Sequence, residues 1–357
     1  MGKKMLENNI LKIKPENLKA GMKLAKDIDY KFGSVFLPQN TILDTHKIKR
    51  LCQMPEVEEV KVYDEKENEL RENLDEVRDI ELEYQSTRDK TKLIFERFKY
   101  GNKINYGEIN NLTDDITSLG NEQEMMTLLT KVREVDQYTY NHLINVGMFS
   151  YMFGSWLGLS EEKNKKLAQA GLLHDIGKAH IPDKILNKPG KLTKKEYEKM
   201  KKHTIYGYNM SREFQQISEA VSQGILTHHE RYDGSGYPLG LKGEKIPLFG
   251  RILGIVDTFD AMTAERVYKP CSSPFEVVKL FIEKDIRAFD YQLVNVFLDR
   301  LPNYFVNKKV ELEDGREGTI VFVNPQKPDK PVLKVGNEYI DLFKNNEVEI
   351  KRIIDKI

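Results

Sequence analysis

The spacing of apolar positions changes several times along the chain. Between residues 10 and 63, short apolar runs alternate with turn residues. Residues 10–15, 22–29, 34–37 and 57–63 are expected as strands, with Gly21 and Gly33 as breaks, and residues 44–54 as a helix. From 64 to 121 charge dominates, and 74–84 and 90–98 keep enough periodicity for helices in a solvated connector. The period then becomes helical. Met125, Leu128, Leu129, Val132 and Val135 recur at i, i+3/i+4, and 142–157 is apolar nearly all round, as a buried helix is. Ser160 is placed to cap one helix, and Thr193 with Glu196 and Ser273 with Glu276 have capping-box form. Alternation returns only near Lys308, where 310–312, 318–323, 332–335 and 339–342 are expected as strands around a proline-rich loop at 325–331. The fold class is therefore mainly α. A small α/β module (1–65), a charged helical connector (66–120), a helical domain (121–305) and a small β-barrel-like module (306–357) follow one another.

Composition narrows the functional classes. The chain has 357 residues, with Lys+Arg and Asp+Glu at 56 each. No global field points to DNA, RNA or an anionic membrane. Mean hydropathy is −0.56, and no apolar run approaches the roughly 20 residues that span a bilayer. The N-terminus lacks the apolar core of a signal peptide, so a cytoplasmic protein is expected. Cys52 and Cys271 stand far apart in no paired pattern and are expected as reduced thiols. Histidine is more informative, because five of the seven fall between positions 174 and 229.

His142 stands near the start of the buried helix. His174-Asp175 closes the helix that begins near Ser160, and His203 is expected to end the one capped by Thr193. His228-His229 ends another, on the apolar stripe of Ile217, Val221, Gly224 and Ile225, and Asp257 interrupts the apolar run 252–259. Ionisable groups at core-facing helix ends are costly unless paired or metal-bound. One such histidine is more often a hydrogen-bonded core residue than a ligand; five, with two aspartates, favour metal binding. Neutral imidazole suits mid-row transition metals, and a carboxylate can bridge two cations. Two metals ~3.5–4 Å apart would activate a bridging hydroxide and hold a phosphate for in-line attack. Lys178 lies four residues after His174, on the same face if the helix continues, where it would neutralise the phosphate or the leaving oxygen. After His228-His229 comes Glu230-Arg231-Tyr232-Asp233-Gly234-Ser235-Gly236-Tyr237-Pro238. Two glycines and a proline there predict a tight loop in which Tyr237 would meet a base or a phosphate, although a plain helix-ending turn accounts for this segment alone equally well.

His174-Asp175 with Gly177-Lys178, then His228-His229-Glu230 and Asp233-Gly234-Ser235-Gly236-Tyr237-Pro238, resemble the HD-GYP family of cyclic di-GMP phosphodiesterases. The resemblance runs through 188–193 and Asp257-Thr258-Phe259-Asp260-Ala261-Met262-Thr263 to Arg266-Val267-Tyr268-Lys269, covering roughly residues 120 to 300. It implies an HD-type helical domain with metal ligands at His142, His174, Asp175, His203, His228, His229 and Asp257. It further implies that Asp175 bridges the metals, Lys178 faces the substrate, and Tyr237, Arg266 and Lys269 meet its phosphates or base. Some three-metal members carry a glutamate one turn before the first histidine; here Tyr138 stands there, which favours two metals. Iron or manganese is the expected pair, with zinc as the alternative. The implied reaction is hydrolysis of cyclic di-GMP to linear pGpG and onward to GMP. A non-hydrolysing dinucleotide sensor and another HD-type nucleotide phosphohydrolase are the rival readings. GGDEF-domain signalling proteins and a second copy of the chain are the candidate protein partners. Arg231 and Arg251 are further cations near the motifs, and His46, His180 and Trp156 fall outside the set.

Overall fold

The computed structural model describes residues 10–29, 35–39, 41–54, 57–63, 65–131, 138–263, 273–283, 287–345 and 347–354. Val132, Val135, Arg266, Lys269 and Cys271 lie outside the described residues. The chain divides into two compact units, residues 1–79 and 80–357.

In the first unit, β1 (Ile10–Ile13) pairs antiparallel with β4 (Val60–Tyr63), and β2 (Ile28–Asp29) with β3 (Val35–Leu37). The helix α1 (Thr45–Cys52) starts where the Asp44 side chain accepts the Lys47 N–H. Leu24, Leu43, Leu51, Val60 and Val62 form its core.

Helix α2 (Glu65–Lys99) is a single element, where two shorter helices were expected. Its second half is not solvated. Tyr84, Thr87, Thr91, Ile94 and Phe98 are buried at alternating spacings of three and four, so this stripe faces the core despite the charges between. The helices α3 (Tyr106–Thr117) and α4 (Glu122–Lys131) follow, α3 opened by a capping box of Asn105 and Glu108. Then come α5 (Tyr138–Trp156) and α6 (Glu161–Leu173), the most closely packed helix pair. The short helices α7 (Asp183–Leu186) and α8 (Lys194–Met200) lead to α9 (His203–Arg212) and α10 (Glu219–Thr227). The expected Thr193–Glu196 capping box is present, but α8 stops at Met200 and His203 opens α9 instead of ending α8. Helices α11 (Leu248–Thr263), α12 (Pro274–Glu283) and α13 (Tyr291–Arg300) complete the bundle. At α12, Ser273 accepts from the Phe275 N–H. Trp156 is partly buried against the core, stacked on Tyr304 and donating to Glu122. Among the described residues, no helix is long and apolar enough to cross a membrane.

The tail forms an open antiparallel sheet, not a barrel. Strands β5 (Lys309–Leu312), β6 (Glu317–Asn324), β7 (Lys327–Val335), β8 (Glu338–Asp341) and β9 (Ile350–Ile353) run in the order β8-β7-β6-β5-β9. The two edge strands do not meet. Closure is unnecessary because the apolar residues Val310, Leu312, Ile320, Val323 and Leu333 join the same core as the helices. Phe275 of α12 meets Phe305 with ring centroids 5.6 Å apart at this junction. The expected proline-rich loop is mostly strand: β7 starts at Lys327 and includes Pro328 and Pro331, where the register with β6 is irregular, as strand prolines require.

Candidate metal centre

Each of the seven candidate ligands sits where a helix brings a polar group to the core. His142 lies one turn into α5 and His174 caps the end of α6. Asp175 begins a 3-10 turn, Ile176–His180, so the helix tightens after His174 instead of continuing. That turn packs on the start of α9 because Gly177 has no side chain; a Cβ there would overlap the His203 carbonyl oxygen. His228 caps the end of α10 with His229 next to it, and Asp257 faces inward from the middle of α11.

The seven converge as two adjoining groups: Asp175, His203, His228 and His229 in one, and His142, His174 and Asp257 in the other. Asp175 faces both. Its Oδ2 is 3.3 Å from His174 Nε2, and its Oδ1 is 3.3 Å from His203 Nε2. Asp257 Oδ1 lies 3.2 Å from His142 Nε2, and its Oδ2 3.9 Å from His229 Nδ1. Behind this inner layer the imidazoles are fixed from outside. Nδ1 of His174, His203 and His228 lies 2.6, 2.7 and 2.7 Å from the carbonyl oxygens of Gly171, Met200 and Ile225. A carbonyl can only accept, so Nδ1 carries the proton and the Nε2 lone pair points inward. His142 Nδ1 lies 2.7 Å from Asp260 Oδ2 and is held the same way.

Electrostatics favour cations at the centre. Burial pushes down the pKa values of His203, His228 and His229, the last to about 3, so these rings are neutral donors. Burial opposes charge on Asp175 and Asp257 too, but the neighbouring Lys178 and His174 for the first, and His142 for the second, hold both well below the usual carboxylate range. His142 is the exception: burial lowers it, yet hydrogen bonds to Asp257 and Asp260 raise it to about 10. His174 Nε2 and Asp175 Oδ1 are buried and make no hydrogen bond. Unpaired polar atoms in a closed core are costly, and cations held at the two groups would satisfy them. Imidazole nitrogens with two carboxylates are a fitting donor set for divalent transition metals.

Residues 124–293 match the family model described as an HD domain. Over 229 residues the chain is 35% identical to a cyclic di-GMP phosphodiesterase of Pseudomonas aeruginosa, covering 64% of this chain and 55% of that protein. It is 41% identical over 175 residues to a cyclic di-GMP phosphodiesterase of Thermotoga maritima, covering 46% and 47%. It is 33% identical over 207 residues to a 3'3'-cGAMP-specific phosphodiesterase of Vibrio cholerae, covering 58% and 39%. The chain carries an HD domain at residues 124–293, similar over that region to these phosphodiesterases. It spans about half the length of the first two of these relatives and less of the third.

In this chain the loop after His229 is a built structure rather than a plain turn. Buried Glu230 accepts the backbone N–H groups of Leu239 and Leu241 at 2.6 and 3.0 Å, tying the far end of the loop to its start. Gly236 presses against the backbone of Glu230 and Arg231, where no Cβ fits. The Tyr237 ring is thereby set 4.8 Å from the His229 ring and stays partly exposed. Sequence reasoning missed its neighbours: half-exposed Tyr197 lies 6.3 Å from Tyr237, and Lys201 Nζ stands over both rings. Lys178 reaches Asp175 Oδ2 at 2.5 Å while staying partly exposed. Arg231 donates to the His228 and Glu230 carbonyls and lies over Phe289, and Arg251 is paired with Asp290 at 2.6 Å; both are engaged by the protein. His180 packs against Tyr206, away from the set. Asp260 also went unassigned, although its place three residues after Asp257 on an apolar helix could have marked it.

Proposed function

We propose that this chain is a phosphodiesterase of the HD-GYP type that opens a cyclic dinucleotide, with cyclic di-GMP as the first candidate, using two divalent metal ions. The observation that carries this reading is the pair of adjoining His/Asp groups with Asp175 facing both, together with the unbonded buried atoms His174 Nε2 and Asp175 Oδ1. His142, His174 and Asp257 would hold one ion, His203, His228 and His229 the other, and Asp175 would serve both. Iron or manganese suits this donor set, with zinc as the alternative; when bound, the ions supply Lewis acidity toward the phosphate and an activated water.

The protein's own groups account for the remaining needs. Lys178, held by Asp175, brings an ammonium to the rim for a non-bridging or leaving oxygen of the phosphate. The Tyr237 and Tyr197 rings with Lys201 offer a wall against which a purine and its phosphate would lie. Arg266 and Lys269 would meet the phosphates or a base of the dinucleotide, on the family resemblance. The named specificity of the Vibrio cholerae relative makes 3'3'-cGAMP the second candidate substrate.

Metal analysis and product chromatography on one preparation test the proposal. About two ions per chain, with conversion of cyclic di-GMP to pGpG or GMP, is the expected result. Saturation at one ion, or tight dinucleotide binding without product from metal-replete protein, would overturn it.

A further inference from the structure

A chain of buried hydrogen bonds leads from helix α2 to the metal centre. Tyr84, fully buried on α2, donates its hydroxyl to Asn145 Oδ1 at 2.9 Å. The Asn145 amide donates to Asp260 Oδ1 at 2.9 Å, and the other Asp260 oxygen holds His142 Nδ1 at 2.7 Å. Four side chains from three helices, all at most 5% exposed, thus form one polar thread through an apolar core. We infer that Tyr84 is a positioning residue for the metal half-site built on His142, acting through Asn145 and Asp260. The inference rests on the dinuclear reading of the centre.

The chemistry of each link gives the thread its direction. Nδ1 of His142 must carry a proton for Nε2 to offer its lone pair to a cation, and Asp260 is the acceptor that ensures this. Asp260 has a second oxygen in the same dry environment, and Asn145 supplies the donor it needs. Using its amide as donor fixes the Asn145 carbonyl on the opposite side, toward α2, where only a donor can satisfy it. The Tyr84 hydroxyl is that donor. Burial, with Asp260 nearby, raises its pKa above the ordinary phenol value, so it keeps its proton throughout the working pH range. Removing the hydroxyl leaves the Asn145 carbonyl buried without its partner. The amide then turns to find another, and Asp260 loses the contact that fixes its angle to His142. His203 and His228 are held by backbone carbonyls instead, so the disturbance falls on one half-site only. That asymmetry separates positioning from a general loss of packing.

The experiment is calorimetric titration of the metal-free 357-residue chain with Mn(II), on wild type, Tyr84→Phe, Asn145→Ala and the double variant, with thermal unfolding in parallel. Outer partners of metal-ligating histidines commonly affect metal affinity by about 10–100-fold, and a partner two links out should retain roughly threefold to thirtyfold. Tyr84→Phe should weaken one Mn(II) site by that factor and leave the other unchanged. Asn145→Ala should weaken the same site, and the double variant should be no worse than Asn145→Ala alone, since both cut one thread. Equal weakening of both sites, unchanged affinity with lowered thermal stability, or additive losses in the double variant would overturn the inference. Wild-type protein that binds fewer than two Mn(II) ions would instead refute the dinuclear reading. If Tyr84→Phe does not fold, the affinity of Asn145→Ala at the two sites decides the matter.

Discussion

Replacing Gly177 by alanine tests how closely the metal centre depends on backbone contact. A Cβ at this position would overlap the His203 carbonyl oxygen and crowd the Gly207 nitrogen, whereas ordinary contact begins near 3.4 Å. Both obstacles are backbone atoms, so no side-chain rotation relieves them. The 3-10 turn and the start of α9 must part by roughly 1 Å, since interiors as dense as crystals do not yield locally. Asp175 lies on one side of that seam and His203 on the other, with 3.3 Å between Asp175 Oδ1 and His203 Nε2. The strain should cost about 1–3 kcal/mol, a drop of a few degrees to about 10 °C in Tm. Catalysis should suffer more, because a misplacement of ~1 Å among reacting groups can cost about 100-fold. Thermal unfolding, metal analysis and kcat/KM with cyclic di-GMP are the assays. Gly177→Ala protein with unchanged Tm and at least half of wild-type kcat/KM would refute the argument.

Three further outcomes follow from the same geometry. Asp175→Ala should lose metal and activity together, as a carboxylate serving both half-sites must; near-normal turnover with full metal content would refute this. Lys178→Ala should slow hydrolysis by roughly tenfold to a few hundredfold, the worth of a charge-assisted hydrogen bond to phosphate, while metal content holds. Loss of metal would move that lysine into the ligand shell. Glu196 is held down to about pH 2 by the Lys188 ammonium and by the backbone and hydroxyl of Thr193. Its folded pKa is depressed, so its contribution is present above the unfolded value near 4.5 and lost as pH falls toward 2. The Tm gap between wild type and Glu196→Gln should therefore narrow below pH 4.5, and a gap constant from pH 7 to pH 3 would count against the capping role.

The candidate ligands were legible because the need for compensation shows in the sequence: His174, His228 and Asp257 are polar interruptions of apolar helical stripes. Their order also carried the family resemblance. Helix ends were less legible. His203 seemed to close α8 but opens α9, since a break at Lys201-Lys202 leaves no mark in apolar spacing. The second half of α2 looked solvated because charged residues outnumber Tyr84, Thr87, Thr91, Ile94 and Phe98, and two of those five are threonines. The tail looked like a closed barrel because strand alternation reports that one face is buried, not what buries it; α12 and its neighbours do so. Tyr197 and Lys201 could not be tied to Tyr237 from sequence, because only folding brings positions 40 and 36 residues apart together.

Three of the histidines share a device: His174, His203 and His228 each face the carbonyl three residues earlier, at the close of a helix. An α-helix ends with carbonyls that have no partner, and here the ring that would bind metal satisfies one of them. Terminating the helix and choosing the tautomer are therefore a single event. This gives the domain an uneven tolerance to insertions and deletions during evolution. The segments joining α5 to α6 and α9 to α10 can lengthen or shorten without reaching the rings. One residue added within the last turn of α6, α8 or α10 would shift the carbonyl by about 100° around the axis and leave its histidine facing elsewhere.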